Sequence, residues 1–275
     1  MTRQYGIIGH PLAHSLSPLV HNWGFSRFGI DGHYEACDTP PEALSAFMAR
    51  FRQIPMAGLS VTIPHKTAVM AYVDVVTDLG LEVGAVNTLY WRDNVLWAEN
   101  TDVEGFCRPL VEADLSVGAA LVLGCGGAAR AVVVGLMRLG ASRIAVTGRS
   151  REKAEALAGA FDLEVVDWEA RADYPAQLCV NATPMGMLGR LEAFSPYPSE
   201  RLGPGQAVYD LVYNPRLTRF AAEAEHAGAT VVSGLDMFVY QAVEQFRLWT
   251  GRVLPAEEVR PLLMKTLYGE THSRA

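Results

Sequence analysis

The chain has little cysteine: in 275 residues only four occur, Cys37, Cys107, Cys125 and Cys179, far apart and without C-x-x-C spacing. That excludes a disulfide framework and a cysteine-based zinc site, and it fits a reducing cytoplasm. Positive charge is not in excess either, with 23 Lys and Arg against 30 Asp and Glu and a formal net charge of −7. A surface for nucleic acid needs clustered cations, so that partner is excluded and any anion must be met locally. No unbroken apolar stretch approaches the roughly 20 residues of a membrane-spanning helix, so no membrane partner is expected. A strand-like run from Gln4 to Ile8 begins almost at once and leaves no room for a signal peptide. Internal repeats and low-complexity tracts are absent. With 50% hydrophobic and 19% charged residues the chain reads as globular, long enough for two domains with separate cores.

Strand-like and helix-like segments alternate throughout, an α/β pattern. In the first hundred residues strands are expected at Tyr5 to Ile8, His33 to Cys37 and Ala57 to Val61, with helices at Ser17 to Phe28 and Glu42 to Phe51. Thr39 and Glu42 have capping-box spacing with Pro40 at the first helical position, and Thr101 with Glu104 starts a helix at the hinge into the second half. Beyond it come strands at Ala119 to Leu123, Arg143 to Thr147, Leu163 to Val166, Cys179 to Ala182, Val208 to Leu211 and Thr230 to Ser233. Helices at Arg130 to Leu139, Arg151 to Ala160 and Leu217 to Ala227 separate them, and Leu188 to Gly205 reads as a loop. Short buried strands alternating with helices argue a doubly wound parallel sheet. The closing helices, Met237 to Thr250 and Pro255 to Tyr268, have no strand to pair with and are expected to return to the first domain. The expected division is therefore 1–101 with 237–275, and 102–236.

Two glycine-rich stretches carry chemistry. The first, GCGGAA from Gly124 to Ala129, joins a strand to a helix. Glycines there let the backbone turn and approach a pyrophosphate, while the helix N-terminus offers unpaired N–H groups; the same turn also serves plain helix packing. An NAD enzyme carries Asp or Glu at the end of its second strand, where this chain reads Thr147-Gly148-Arg149-Ser150, with Lys153 one turn on. Arg149 can fork onto a 2′-phosphate and Lys153 can add a point charge, which favours NADP; solvated helix-start cations are the alternative. The second stretch is GLSVTIPHK, Gly58 to Lys66. Pro64 reads as a helix start, which puts Lys66 in a first helical turn against the dipole, either for a functional reason or as a solvated surface residue. Asp102, in the first turn of the hinge helix, is a fitting counter-ion or an ordinary capping residue. His10, His14, His21 and His65 show no recognised metal-ligand spacing, and no metal is expected.

Several motifs in order resemble the shikimate dehydrogenase family nearly end to end: GHPLAHSLSPLVHN (9–22), VTIPHK (61–66), GAVNT (84–88), NTDVEG (100–105), NATPMGM (181–187), YDLVYNP (209–215) and GLDMFVYQA (234–242). The resemblance implies an N-terminal α/β substrate domain beside a Rossmann-type NADP domain, and the reversible reduction of 3-dehydroshikimate to shikimate. It implies Lys66 and Asp102 as the acid/base pair, Ser15 and Ser17 on the substrate carboxylate, and Asn87 and Gln241 around the ring hydroxyls with Thr62 and Tyr213 nearby. The implied cofactor set is Gly124, Gly126, Gly127 and Ala128 in the turn, Thr147, Arg149, Ser150 and Lys153 at the second strand, and Thr183, Leu211, Gly234 and Met237, the last two beside the nicotinamide. One departure is Ser60, where many members carry asparagine; the shorter hydroxyl implies that residue 60 either fails to reach the substrate or reaches it through a bridging water. A broader quinate/shikimate dehydrogenase and a non-catalytic sensor of NADP(H) or shikimate are the alternatives, and the chain is expected as monomer or homodimer.

Overall fold

The computed structural model describes residues 2–13, 15–54 and 56–269, so His14 and the end of the closing segment, 270–275, lie outside the described residues. Contacts divide the described chain into two units, 2–101 with 239–263 and 102–238 with 264–269.

The first unit contains β1 (Arg3–Gly9), α1 (Ser17–Arg27), β2 (Gly32–Asp38), α2 (Leu44–Phe51), β3 (Met56–Val61), β4 (Val75–Val76), α3 (Asp78–Val83), β5 (Thr88–Arg92) and β6 (Val95–Glu99). Its sheet runs β2-β1-β3-β5-β6-β4. The first three strands are parallel, β5 is antiparallel to both β3 and β6, and β4 is parallel to β6. Side chains alternate faces along a strand. On one face Ile8, Leu59 and Leu89 bury against Met48 and Phe51 of α2. On the other, Tyr5 meets Phe25 and Trp249, and Tyr34 meets Trp249, at centroid distances of 4.7 to 5.9 Å.

The second unit begins with α4 (Asp102–Glu112), then β7 (Ala119–Leu123), α5 (Gly127–Arg138), β8 (Arg143–Thr147), α6 (Arg151–Phe161), β9 (Glu164–Val165), β10 (Leu178–Asn181), β11 (Ala207–Asp210), α7 (Arg219–His226) and β12 (Thr230–Ser233). Its six strands are all parallel in the order β9-β8-β7-β10-β11-β12, so the chain reverses direction across the sheet between β7 and β10. All five residues of β7 are buried, as a central parallel strand covered on both faces requires. Ser150 and Thr218 cap α6 and α7 by accepting from the amides of Lys153 and Ala221. The closing helices are α8 (Gly234–Thr250) and α9 (Ala256–Tyr268).

Two local expectations are corrected, and one turn is added. Thr39 does not cap a helix: its amide donates to the Gly9 carbonyl at 2.8 Å, prolonging the β1–β2 ladder, and its hydroxyl donates to the Cys37 carbonyl at 2.7 Å. The segment after it opens with a 3-10 turn, Pro41–Ala43. Lys66 is not in a helix, because its carbonyl accepts from the Val86 amide at 2.8 Å, a tertiary bond, and the first helical residue is Ala68 of the 3-10 turn Ala68–Tyr72. The dipole argument about Lys66 therefore does not apply. Finally, the β5–β6 hairpin turns on Asp93 and Asn94, both left-handed (φ 52° and 61°), as a tight two-residue turn demands.

Candidate active site

Topology gathers one set of residues at a single edge of the first sheet. Parallel β1 and β3 end there, antiparallel β5 starts there, and β6 ends there, since Ser60 pairs Thr88 and Thr88 pairs Glu99. Ser15 and Ser17 follow β1, Thr62 and Lys66 follow β3, Asn87 precedes β5, and Thr101 and Asp102 follow β6. Backbone bonds hold these loops: the Thr62 amide donates to Ile8 at 2.9 Å, and the Val61 amide to Asn87 at 2.8 Å. The Asn87 amide group is buried and pre-set. Its Oδ1 accepts from the Thr101 amide at 2.8 Å and the Thr88 hydroxyl at 2.9 Å, and its Nδ2 donates to Thr101 Oγ1 at 3.0 Å.

Ser15 Oγ accepts from the Ser17 amide at 3.4 Å, and Gln241 lies half-buried on α8. Asp102, the first residue of α4, is buried at 4% exposure. Tyr213 belongs to the second unit, where its ring meets Phe238 at 5.3 Å, its carbonyl accepts from the Tyr268 hydroxyl, and burial raises its phenol pKa. Of the four histidines weighed as metal ligands, the three described have partners of other kinds: His10 pairs Asp38 at 3.0 Å, His21 bonds Gln245 at 3.3 Å, and His65 bonds the Thr39 carbonyl at 2.6 Å. Among the described residues no group of three or more His, Cys, Asp or Glu is arranged to hold a metal ion.

At the reversal point of the second sheet, β7 ends in Gly124 at φ +118°. A Cβ there would stand 2.8 Å from the Ala182 carbonyl oxygen and 3.1 Å from Thr183 Cγ2, so only glycine lets the turn press on the end of β10. Above Gly126, the N-cap of α5, a Cβ would meet nothing within 4 Å, and the amides of Gly127 and Ala128 open the helix. Thr147 at the end of β8 is fully buried, with its hydroxyl unpartnered among the described residues. Arg149 and Ser150 are exposed. Arg151 is engaged by Glu155 at 2.7 Å and by Asp167, whereas Arg149 and Lys153 form no ion pair among the described residues.

Two buried residues that sequence reasoning missed organise the loops beyond. Asn181 Oδ1 accepts from the amide (3.0 Å) and hydroxyl (2.7 Å) of Thr183, and Asn181 Nδ2 donates to Asp210 at 2.8 Å and to the Met185 carbonyl at 3.0 Å. Asp210 also accepts from the Val212 amide at 3.0 Å and the Thr218 hydroxyl at 2.5 Å. Burial pushes its carboxyl up to about 6 against these bonds. Both lie at the start of motifs read above, Asn181 first in NATPMGM and Asp210 second in YDLVYNP, and polar residues ending buried strands were the available signal. Leu211 donates its amide to Asn181, a Cβ on Gly234 would stand 2.4 Å from the Leu211 oxygen, and Met237 is largely core, at 8% exposure beside Tyr209 and Val232.

A six-stranded parallel sheet in this order, with a glycine turn opening a helix at its reversal point, defines a doubly wound dinucleotide-binding protein. The profile of the shikimate dehydrogenase substrate binding domain matches residues 7–89, and that of the shikimate 5′-dehydrogenase C-terminal domain matches residues 234–264. The shikimate dehydrogenase (NADP(+)) of Maridesulfovibrio salexigens is 46% identical over 263 residues, 96% of this chain and 97% of the relative. That of Oleidesulfovibrio alaskensis is 48% identical, over 96% and 95% of the two chains. A crystal structure of shikimate 5-dehydrogenase from Thermus thermophilus, in complex with NADP(H) and shikimate, superposes with a TM-score of 0.88 at 38% identity, over 96% of this chain and 100% of the other. The chain belongs to the shikimate dehydrogenase family.

Proposed function

We propose that this chain catalyses the NADP-dependent, reversible reduction of 3-dehydroshikimate to shikimate in aromatic amino-acid biosynthesis. The observation that carries the reading is the gathering of Ser15, Ser17, Thr62, Lys66 and Asn87 at one sheet edge, in a chain alike end to end to enzymes of that name. The first unit binds substrate and the second binds the dinucleotide. The second unit's residues fit NADP: open space above Gly126 admits a pyrophosphate, and Arg149 and Lys153 offer cations to a 2′-phosphate where an NAD enzyme carries a carboxylate. When bound, the reduced nicotinamide supplies a hydride to the C3 carbonyl carbon.

The chain's own residues do the rest. Ser15 and Ser17 hold the carboxylate through their hydroxyls. Asn87 and Gln241 meet the ring hydroxyls, with Thr62 nearby, and a site built to bond hydroxyls rejects analogues that lack them. Lys66 donates to the C3 oxygen and stabilises the charge that develops on it, while Asp102 orients the lysine and shares the hydroxyl's hydrogen bonds. A proton reaches that oxygen from this pair. A non-catalytic sensor would have no use for both Lys66 and Asp102. The test is the absorbance of reduced nicotinamide when purified protein meets shikimate or quinate with NADP(+) or NAD(+). Reduction with shikimate and NADP(+) is expected, and its absence refutes the function.

A further inference from the structure

One side of α8 is fastened to β5 by two side chains set about one helical turn apart. Gln245 Nε2 donates to the Asn87 carbonyl at 3.1 Å, and Trp249 Nε1 donates to the Leu89 carbonyl at 3.0 Å. The sheet makes room for the indole. A Cβ on Gly58 would stand 2.3 Å from Trp249 Nε1, so glycine at that point of β3 lets the ring lie on the strand. The ring then packs on Tyr5 and Tyr34 at 5.5 and 5.9 Å.

The neighbours of Gln245 orient its carboxamide. Its Oε1 accepts from the Ser60 hydroxyl at 2.8 Å and from His21 Nε2 at 3.3 Å, and Ser60 in turn accepts from Tyr34 Oη at 2.7 Å. His21 is fully buried and burial holds its pKa down to about 3, so the neutral ring has a single N–H, which goes to Gln245. With two donors on the oxygen, the amide nitrogen faces Asn87. A flipped amide would bring its oxygen against the Asn87 carbonyl oxygen, two acceptors with no proton between them.

The two bonds also set a register. Residues 87 and 89 are about 7 Å apart along a strand, and residues 245 and 249 about 6 Å apart along a helix, so α8 keeps step with β5 and runs the same way. One turn nearer the helix N-terminus, on the same side, stands half-buried Gln241. That turn reaches past Thr88, where β5 begins, to the sheet edge that holds Thr62, Lys66 and Asn87. We propose that Gln245 and Trp249 are positioning residues, which fix the register and rotation of α8 on β5 so that Gln241 is presented to the substrate. The proposal rests on the reading of Gln241 as a ligand of the ring hydroxyls.

The test is steady-state kinetics of shikimate oxidation by the wild type, Gln245→Met, Trp249→Phe, Gln241→Ala and the double variant of Trp249→Phe with Gln241→Ala. Methionine keeps the length and phenylalanine a ring, so each removes the bond to β5 and keeps most of the packing. Gln245→Met and Trp249→Phe are each expected to raise KM for shikimate about fivefold, the scale of one net hydrogen bond, with kcat and KM for NADP(+) little changed. Trp249→Phe is expected to add nothing once Gln241 is alanine, because it acts through that residue. Trp249→Phe breaks no other side-chain bond, so it decides the matter even if Gln245→Met, which strands the Ser60 and His21 donors, fails to fold. An unchanged KM for shikimate in Trp249→Phe, an equal rise in KM for NADP(+), or the same rise again on top of Gln241→Ala overturns the proposal. A wild-type KM in Gln241→Ala overturns the reading of Gln241 and the proposal with it. Wild-type protein that does not oxidise shikimate instead overturns the functional reading beneath both.

Discussion

Replacing Asp210 by asparagine should flatten part of the protein's pH dependence of stability. The carboxyl is 2% exposed at the end of β11 and is raised from 3.8 to about 6 in the folded chain, burial outweighing the bonds from Thr218, Val212 and Asn181. A group whose folded pKa lies above its unfolded value holds its proton better in the fold. Its contribution is fully present below about pH 4 and is lost as pH rises through about 6. Two pH units at 1.36 kcal/mol each set the loss at about 3 kcal/mol as an upper bound. Asparagine keeps an oxygen for Asn181 and Val212 and offers an amide to Thr218, whose hydroxyl can turn to accept, so the shape survives and the titration does not. Urea unfolding of both proteins between about pH 4 and pH 7 measures it. The wild type should lose stability relative to Asp210→Asn by about 2–3 kcal/mol across that window. A difference that is flat, or that grows in the wild type's favour with rising pH, would refute the reasoning.

Lys66→Ala and Asp102→Asn should each lower kcat by about 100-fold with unfolding temperatures little changed, and steady-state rates within a few-fold of wild type would remove the pair from the chemistry. Arg149→Ala should lower kcat/KM for NADP(+) about tenfold or more while sparing NAD(+). Arg151→Ala should not, because Glu155 and Asp167 already engage Arg151; equal losses in the two variants would contradict the assignment. Shikimate should be used far better than quinate. Quinate's tetrahedral C1 tilts the carboxylate away from Ser15 and Ser17 and adds a hydroxyl whose unmet bonding costs about 1–3 kcal/mol, so a kcat/KM ratio near one favours the broader enzyme.

The second unit was legible because its signals are local. Apolar runs such as Ala119 to Leu123 stop at glycine, the strand at Arg143 to Thr147 and the one at Thr230 to Ser233 have the bounds read from sequence, and Gly124 stands where the backbone must turn against β10. Residues 67–100 were not legible as elements. Their strands are short and partly exposed, and the hairpin turn is Asp93-Asn94 rather than a glycine pair. Lys66 was misplaced for a related reason: the bond that keeps it out of a helix comes from Val86, twenty residues on and on no repeating pattern.

The departure at Ser60 shows where residue-by-residue reading stops. Read alone, a serine in place of asparagine is a shortened arm, and the natural inference is a weaker grip on substrate. That inference needs the side chain to face substrate, which depends on what lies across the sheet face from it. Here the neighbours are Tyr34 from β2 and Gln245 from α8, 26 and 185 residues away in the chain, and both take up its hydroxyl. A side chain whose proton and lone pair are both engaged inside the protein can influence substrate only through those partners. Ser60 therefore serves as a buried link between β2 and α8, so the size of the residue at 60 matters less than whether it carries a hydroxyl.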